Sequence, residues 1–266
     1  MIDPGVSRRS VIFAFATGAG IGVLGGLIGL GGAEFRLPLL IGVFGFVALP
    51  AIILNKAMSL IVVITALPAR LLSVPYSDVA AHWYVIVNLL AGSLLGAWIG
   101  ATWATKLRSA TLYKVLAVLL VLIAAALAST HLAQLGSLQL DVLPRSIFGV
   151  IAGTGVGVVA ALMGVAGGEL LIPTIVLLYA VDIKLAGSLS LAVSLPTMLV
   201  AFTRYSRDNS FQALRDNKLF VIAMAIGSIS GTLLGGLLLG VVPTLVLIPL
   251  LVLLLLLSAL KVWRHT

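Results

Sequence analysis

The sequence contains no cysteine, which excludes disulfide bridges, thiolate metal sites and any relay through thiols. Charged residues are scarce as well: they make up 9% of the 266 residues, whereas a soluble domain carries roughly 25%. The three histidines, His82, His131 and His265, have no second histidine or acid at ligand spacing, so we expect no metal site and no cofactor. The sequence also lacks a Walker loop, an H-E-x-x-H motif and a nucleophile elbow, so we do not expect an enzyme.

Long apolar runs are what the sequence does contain. Hydrophobic residues make up 61% of the chain, and runs long enough to cross a hydrocarbon core of about 30 Å recur along almost its whole length. We predict an all-α integral membrane protein in contact with a lipid bilayer. The Lys and Arg residues behind the net charge of +8 are distributed as the membrane topology described below requires, so we expect no nucleic-acid partner.

The chain carries an internal repeat. A shift of 135 residues lays GAGIGVLGGLIGLGGAEFRLP (18–38) on GTGVGVVAALMGVAGGELLIP (153–173), with nine of 21 positions identical. The identical positions include the pairs Glu34/Glu169 and Pro38/Pro173, which are better evidence than matching glycines. The same shift pairs GSLLGAWIG (92–100) with GSISGTLLG (227–235). We therefore predict two membrane repeats, residues 1–135 and residues 136–266.

Each repeat contains five apolar segments. They lie at about 10–29, 37–48, 51–72, 83–104 and 111–130 in the first repeat, and at about 146–164, 172–181, 185–203, 219–239 and 243–262 in the second. The second segment of each repeat is about 15–18 Å of helix, which is too short to cross. We predict that it is the return leg of a re-entrant helical hairpin, followed by three transmembrane helices. An odd number of crossings inverts the second repeat relative to the first, as in many secondary transporters.

The positive charges support this topology. With the amino terminus in the cytoplasm, twelve of the sixteen Lys and Arg residues fall on the cytoplasmic side, Lys56 among them. Only Arg70, Arg145 and Lys184 fall outside, and Arg36 lies at a hairpin tip. This is a strong positive-inside bias, and it predicts that both termini are cytoplasmic.

Each hairpin tip combines glycines with the start of a new helix. Glycines let a ligand approach the main chain, and the amides of a first helical turn favour an anion. Irregular backbone at this depth must be buried in protein or line a wet cavity, so we expect both tips to meet at a substrate site. The predicted substrate-binding tip residues are Gly31, Gly32, Ala33, Arg36, Gly167 and Gly168. Arg36 either holds an oxyanion, pairs with Glu34, or extends to the membrane interface.

Glu34 and Glu169 are the only acids predicted to lie within the apolar layer, where a carboxylate is costly and indicates function. Two roles stay open for them. They carry a coupling proton, or they cap the orphan amides of the hairpin's second helix.

Polar groups on the helices that follow the hairpins complete the predicted site. They are Asn55, Ser59, Thr65, Ser188 and Ser194. Such groups also bond the carbonyls of their own or neighbouring helices. However, AMSL (57–60) pairs with AGSL (186–189) at a shift of 129 residues, and the resulting recurrence of Ser59/Ser188 and Thr65/Ser194 at matching repeat positions favours a role in the site. We assign two ridges of small residues to helix packing: Gly92, Gly96 and Gly100, and Gly227, Gly231 and Gly235.

These motifs resemble the TauE/SafE family of sulfite exporters, also called the four-toluene sulfonate uptake permease family. The resemblance covers the two tips GLGGAEFRLP and GVAGGELLIP, the segments KAMSL and LAGSLSL, and the two glycine-ridged helices. It implies transport of small sulfur oxyanions or organosulfonates across a bacterial inner membrane, coupled to an ion gradient.

We therefore predict a secondary transporter for a small anion such as sulfite, an organosulfonate or a related organic acid. It would work by alternating access, with a proton or another ion as the coupling partner. The alternative is a membrane scaffold or assembly protein without transport activity, in which the glycine ridges bind partner helices. The sequence assigns neither the direction of transport nor the oligomeric state.

Overall fold

The computed structural model describes residues 8–28, 32–132, 141–206, 211–237 and 244–264. These ranges contain helices and no strand, which confirms the all-α prediction. The first six helices are α1 (Arg8–Ile28), α2 (Ala33–Gly42), α3 (Ala48–Ser73), α4 (Tyr76–Ala81), α5 (Trp83–Lys106) and α6 (Ser109–Leu132). The next six are α7 (Val142–Met163), α8 (Gly168–Tyr179), α9 (Ile183–Ser206), α10 (Gln212–Asp216), α11 (Lys218–Leu237) and α12 (Thr244–Trp263).

Within the described residues, five helices are long and apolar enough to cross a membrane: α3, α5, α7, α9 and α11. On α5, Trp83 is 63% exposed and Trp103 is 53% exposed. These two rings lie about 30 Å apart along the helix axis, which is the separation expected of tryptophans at the two surfaces of a bilayer.

The short helices differ most from the sequence prediction. Both α2 and α8 begin four residues earlier than the apolar segments predicted, so that Glu34 and Glu169 lie within their first turns. The apolar segments begin later than the helices because the first turn of each helix contains glutamate and small residues. The helix α7 is itself long enough to span, whereas α8 has 12 residues and reaches only about 18 Å. The short helices α4 and α10 were not predicted.

Each short hairpin helix is held in its own apolar cluster. Leu37, Leu40 and Ile41 of α2 are buried, and α2 packs against α3 and α12. Leu171 and Ile175 of α8 are buried in a second cluster with residues of α5 and α9. The two hairpin helices α2 and α8 are therefore enclosed by neighbouring helices.

Glycine ridges join the long helices in two pairs. A Cβ at Gly92, Gly96 or Gly100 of α5 would clash with the main chain of α7, near residues 150, 154 and 158 respectively. Steps of four residues on α5 match steps of four on α7, so these two helices run parallel. Gly227 and Gly231 of α11 make the same kind of contact with α1, near residues 15 and 19. The ridges serve close packing within the chain, as predicted.

Aromatic and cation–π contacts locate the two ends of the hairpins. The ring centroids of Phe13, near the start of α1, and Phe44, just after α2, are 5.4 Å apart. The guanidinium of Arg145, near the start of α7, lies 6.0 Å from the ring of Tyr179 at the end of α8. In both hairpins the second helix therefore returns to the end where the first began.

The helix α3 separates these two ends. It begins just after α2 and its 26 residues extend about 39 Å. At its far end, α4 leads to α5, where the ring of Tyr84 lies 6.4 Å from that of Tyr179.

Candidate functional site

Both hairpin tips turn at a left-handed glycine. Gly32 has φ 65° and is the N-cap of α2, and Gly167 has φ 85° and is the N-cap of α8. A side chain would be strained at either position, and a Cβ at Gly32 would also lie 2.7 Å from the carbonyl oxygen of Ile21. Ala33 and Gly168 are the first residues of the two helices, where main-chain amides have no partner within the helix. Gly31 lies outside the described residues.

The two tips meet through their acids. Glu34 and Glu169 lie close enough for a hydrogen bond between their side chains. Glu34 is 1% exposed, and one carboxyl oxygen of each residue, Oε2, is buried without a hydrogen-bond partner. Glu34 also bonds its own backbone amide, which is a local form of capping. Since the N-cap positions themselves are glycines, neither acid is an N-cap residue.

A proline follows each glutamate at a spacing of four residues. Pro38 and Pro173 lie inside α2 and α8. A proline has no N–H to donate to the carbonyl four residues earlier, and in these helices that carbonyl belongs to Glu34 or Glu169. The recurring spacing therefore leaves a main-chain acceptor at each tip in addition to the carboxyl group.

Arg36 is fully buried beside the first tip. Its Nη1 lies 3.4 Å from Asn55 Oδ1 and 3.4 Å from Ser59 Oγ, and its charge interacts with that of Glu34. The side chain therefore does not extend to the membrane interface. Arg36, Asn55 and Ser59 were all predicted as site residues, and the structure brings them together.

The same stretch of α3 holds the second tip. Asn55 Nδ2 donates to Ala33 O at 3.0 Å and to Met163 O at 3.1 Å, bridging the two hairpins. Ser59 Oγ donates to Gly164 O at 3.3 Å. One helix of the first half thus contacts both tips.

Lys56 was assigned to the cytoplasmic side, and that assignment is wrong. The side chain is fully buried, and its Nζ donates to Ala160 O and Val165 O, each at 2.7 Å. It thereby satisfies carbonyl groups at the C-terminal end of α7, and it also interacts electrostatically with Glu169. The positive-inside rule counts lysines by sequence position, and only the long run of apolar residues around Lys56 could have signalled its burial.

The hydroxyl groups of the predicted site have different surroundings. Ser188 and Ser194 on α9 are buried, and their Oγ atoms have no hydrogen-bond partner. Thr65 is exposed, and its hydroxyl donates to Ile61 O and Val62 O of its own helix. Ser59 therefore contacts Arg36, Thr65 bonds only the main chain of its own helix, and the two serines of α9 have hydroxyl groups without a hydrogen-bond partner.

The two cations of the site both come from the first half of the chain. The repeat alignment lays Arg36 on Leu171 and Lys56 on Leu185. The carboxyl groups come from both halves, one from each tip. Within the part of the chain that the structure describes, no group of acids and histidines could hold a metal ion.

These residues can bind a small anion. The site offers amides at two helix starts and the guanidinium of Arg36, which Asn55 and Ser59 hold in place. Together with several apolar spans, this arrangement is that of a multi-pass helical membrane protein. The chain belongs to the sulfite exporter TauE/SafE family, whose model matches residues 14–262. No curated protein and no solved structure matches the chain with significance.

Proposed function

We propose that this chain moves a small sulfur oxyanion, sulfite or an organosulfonate, across the bacterial inner membrane by alternating access. The observation that carries the proposal is the pair of hydrogen bonds from Asn55 to Ala33 O and Met163 O, because they join the tips of the two hairpins at one buried side chain. Anions bind at helix starts, and Arg36 adds a planar cation suited to an oxyanion. Membership of the sulfite exporter family indicates a substrate that contains sulfur.

We further propose that residues 1–135 and 136–266 are inverted repeats, with both termini cytoplasmic. The helix contacts support this, because most of them are preserved when α1–α6 are exchanged with α7–α12. Thus α1 packs on α11 and α7 on α5, α2 packs on α12 and α8 on α6, and α4 packs on α9 while α10 packs on α3. The two hairpins also begin at opposite ends of α3.

This arrangement supports alternating access. If the two hairpins enter from opposite faces, an anion at their shared tip is reached from one face when one hairpin moves and from the other face when its counterpart moves. The scaffold alternative loses its basis, because the glycine ridges that would bind partner helices pack within the chain.

The test is transport in proteoliposomes with labelled sulfite and taurine, and with sulfate and acetate as comparison anions. We expect exchange of labelled for unlabelled sulfite or sulfonate, and little exchange of acetate. Replacing Arg36 by Gln should lower the exchange rate about tenfold or more, because a charge-assisted hydrogen bond contributes about 1.5–3 kcal/mol.

Arg215→Gln is the matched control, because Arg215 is exposed on α10. Its exchange rate should equal that of the unmodified protein. The proposal is wrong if the folded protein exchanges none of these anions, and the role of Arg36 is wrong if both variants exchange equally well.

A further inference from the structure

The facing carboxyl groups of Glu34 and Glu169 have no role in binding an anion, which they would repel. A carboxylate offers only acceptors, so a hydrogen bond between two carboxyl groups needs a proton on one of them. We propose that the Glu34–Glu169 pair holds the proton that is coupled to anion transport, and that its protonation prepares the site for the anion. This inference rests on the proposed transport function.

Charge balance predicts that the proton and the anion move in the same direction. Four ionisable side chains meet at the tips: Glu34, Arg36, Lys56 and Glu169. A proton bound to the pair adds one positive charge to this group, and a monovalent anion offsets it. Without that proton, an added anion would be an uncompensated charge in a low-dielectric interior. The proton and the anion are therefore expected to bind and leave together.

A metal cation is a poorer coupling ion at this site. Two carboxyl groups and the main-chain carbonyls freed by Pro38 and Pro173 could in principle ligate sodium. However, the guanidinium of Arg36 is already fully buried here, and it would repel a metal cation. A proton avoids this cost because it binds directly to a carboxyl oxygen.

The other charged groups near the hairpins lie away from the pair. Lys261 of α12 contacts Gly42 at the far end of α2, and Arg145 lies against Tyr179 at the far end of α8. On the helices α6 and α9, Lys114 and Lys184 are exposed. The Tyr205 hydroxyl donates to Ala161 O, and Arg204 donates to Thr102.

Helix capping does not account for both acids. The bond from Glu34 to its own amide occupies one acceptor, and the positive end of the helix favours an acid in the first turn. Capping does not require the two acids to face each other across the tips, nor does it explain why Oε2 of each is buried without a partner.

The transport step is simple in chemical terms. The pair takes one proton from the aqueous phase on the side where the anion binds, and a carboxyl O–H bond forms. On the opposite side that bond breaks, and the proton is released together with the anion. The net movement is one proton and one monovalent anion in the same direction, without net charge.

The experiment compares two modes of transport in proteoliposomes. Exchange of labelled for unlabelled sulfonate needs no release of the proton, whereas accumulation against a gradient needs it. In the unmodified protein, an imposed gradient of one pH unit should raise the accumulation ratio about tenfold, since proton and anion are linked one to one. Glu34→Gln and Glu169→Gln should keep exchange and lose this response.

Two controls keep the result interpretable. Melting curves of each variant test folding, and Glu169→Gln is informative even if Glu34→Gln is unstable, because Glu169 is only partly buried. Thr203→Ala removes a hydroxyl that only bonds its own helix, and it should respond to the pH gradient like the unmodified protein.

The outcomes separate the two proposals. Exchange in the unmodified protein with no response to the pH gradient, or a response that persists in both Gln variants, overturns the proton role alone. Accumulation driven by a sodium gradient at equal pH on both sides also overturns it. Absence of exchange in the unmodified protein removes the transport function on which the inference rests.

Discussion

Lys56 is the residue whose structural role differs most from what its sequence position implies. A lysine amine can satisfy helix-end carbonyls and offset the negative end of a helix dipole, and this one does so for a helix of the other half of the chain. It therefore connects α3 to the end of α7 through two short hydrogen bonds.

Replacing Lys56 by Met should destabilise the protein. The change leaves the carbonyl of Val165 without the Lys56 donor, whereas Ala160 O still accepts from Val165 N, and an unsatisfied buried acceptor costs about 1–3 kcal/mol. For a chain of this size we expect the melting temperature in detergent to fall by about 5 °C or more.

Lys114→Met is the matched control for this measurement, because Lys114 is exposed on α6. Its melting temperature should stay close to that of the unmodified protein. Equal melting temperatures for the two variants would contradict a structural role for the Lys56 hydrogen bonds.

Residue patterns predicted about half of the candidate site. The repeat alignment found Glu34 and Glu169 because both recur with a proline at the same spacing. It could not find Lys56, since that residue has no counterpart in the second half and acts on carbonyls more than 100 positions away. Contacts between side chains and distant main chain leave no local pattern in a sequence.

At the scale of elements, the helix pairs α5–α7 and α1–α11 were less predictable than the helices themselves. Apolar run length predicts a membrane helix with small boundary errors, and small residues spaced by four predict a packing face. Neither signal identifies the partner helix. The glycines allow two helices to approach closely, but the topology of the whole chain determines which two helices lie side by side.

A methyl group added to the α5 ridge should separate α5 from α7. In Gly96→Ala the new Cβ would meet the carbonyl group of Thr154, and main chain on both sides leaves little room to adjust. Overpacking of this kind costs about 1–3 kcal/mol, so we expect the melting temperature to fall by several degrees.

Gly155→Ala on the facing helix is the control. A Cβ at Gly155 would have no heavy atom within 4 Å, and alanine has the higher helix propensity, so stability should be unchanged or slightly higher. If both variants melt at the same temperature, close packing at Gly96 does not hold the pair together.

At the scale of the whole molecule, the proposed mechanism depends on hairpins that enter from opposite faces. The absence of native cysteine makes this testable, because one introduced thiol is the only one in the protein. Val43 lies exposed just after α2, Tyr76 is exposed at the start of α4, and Lys184 is exposed just after α8. Val43 therefore marks the end of the first hairpin, Lys184 the end of the second hairpin, and Tyr76 the far end of α3.

We expect Tyr76→Cys and Lys184→Cys to react with an impermeant maleimide in intact cells, and Val43→Cys to react only after the membrane is permeabilised. The reason is that α3 crosses the membrane between Val43 and Tyr76, and the second hairpin ends beside the start of α5. Labelling of all three after permeabilisation verifies that each thiol is reactive. If Val43→Cys and Lys184→Cys react from the same face, the hairpins are not inverted, and two faces could not open alternately onto the shared tip.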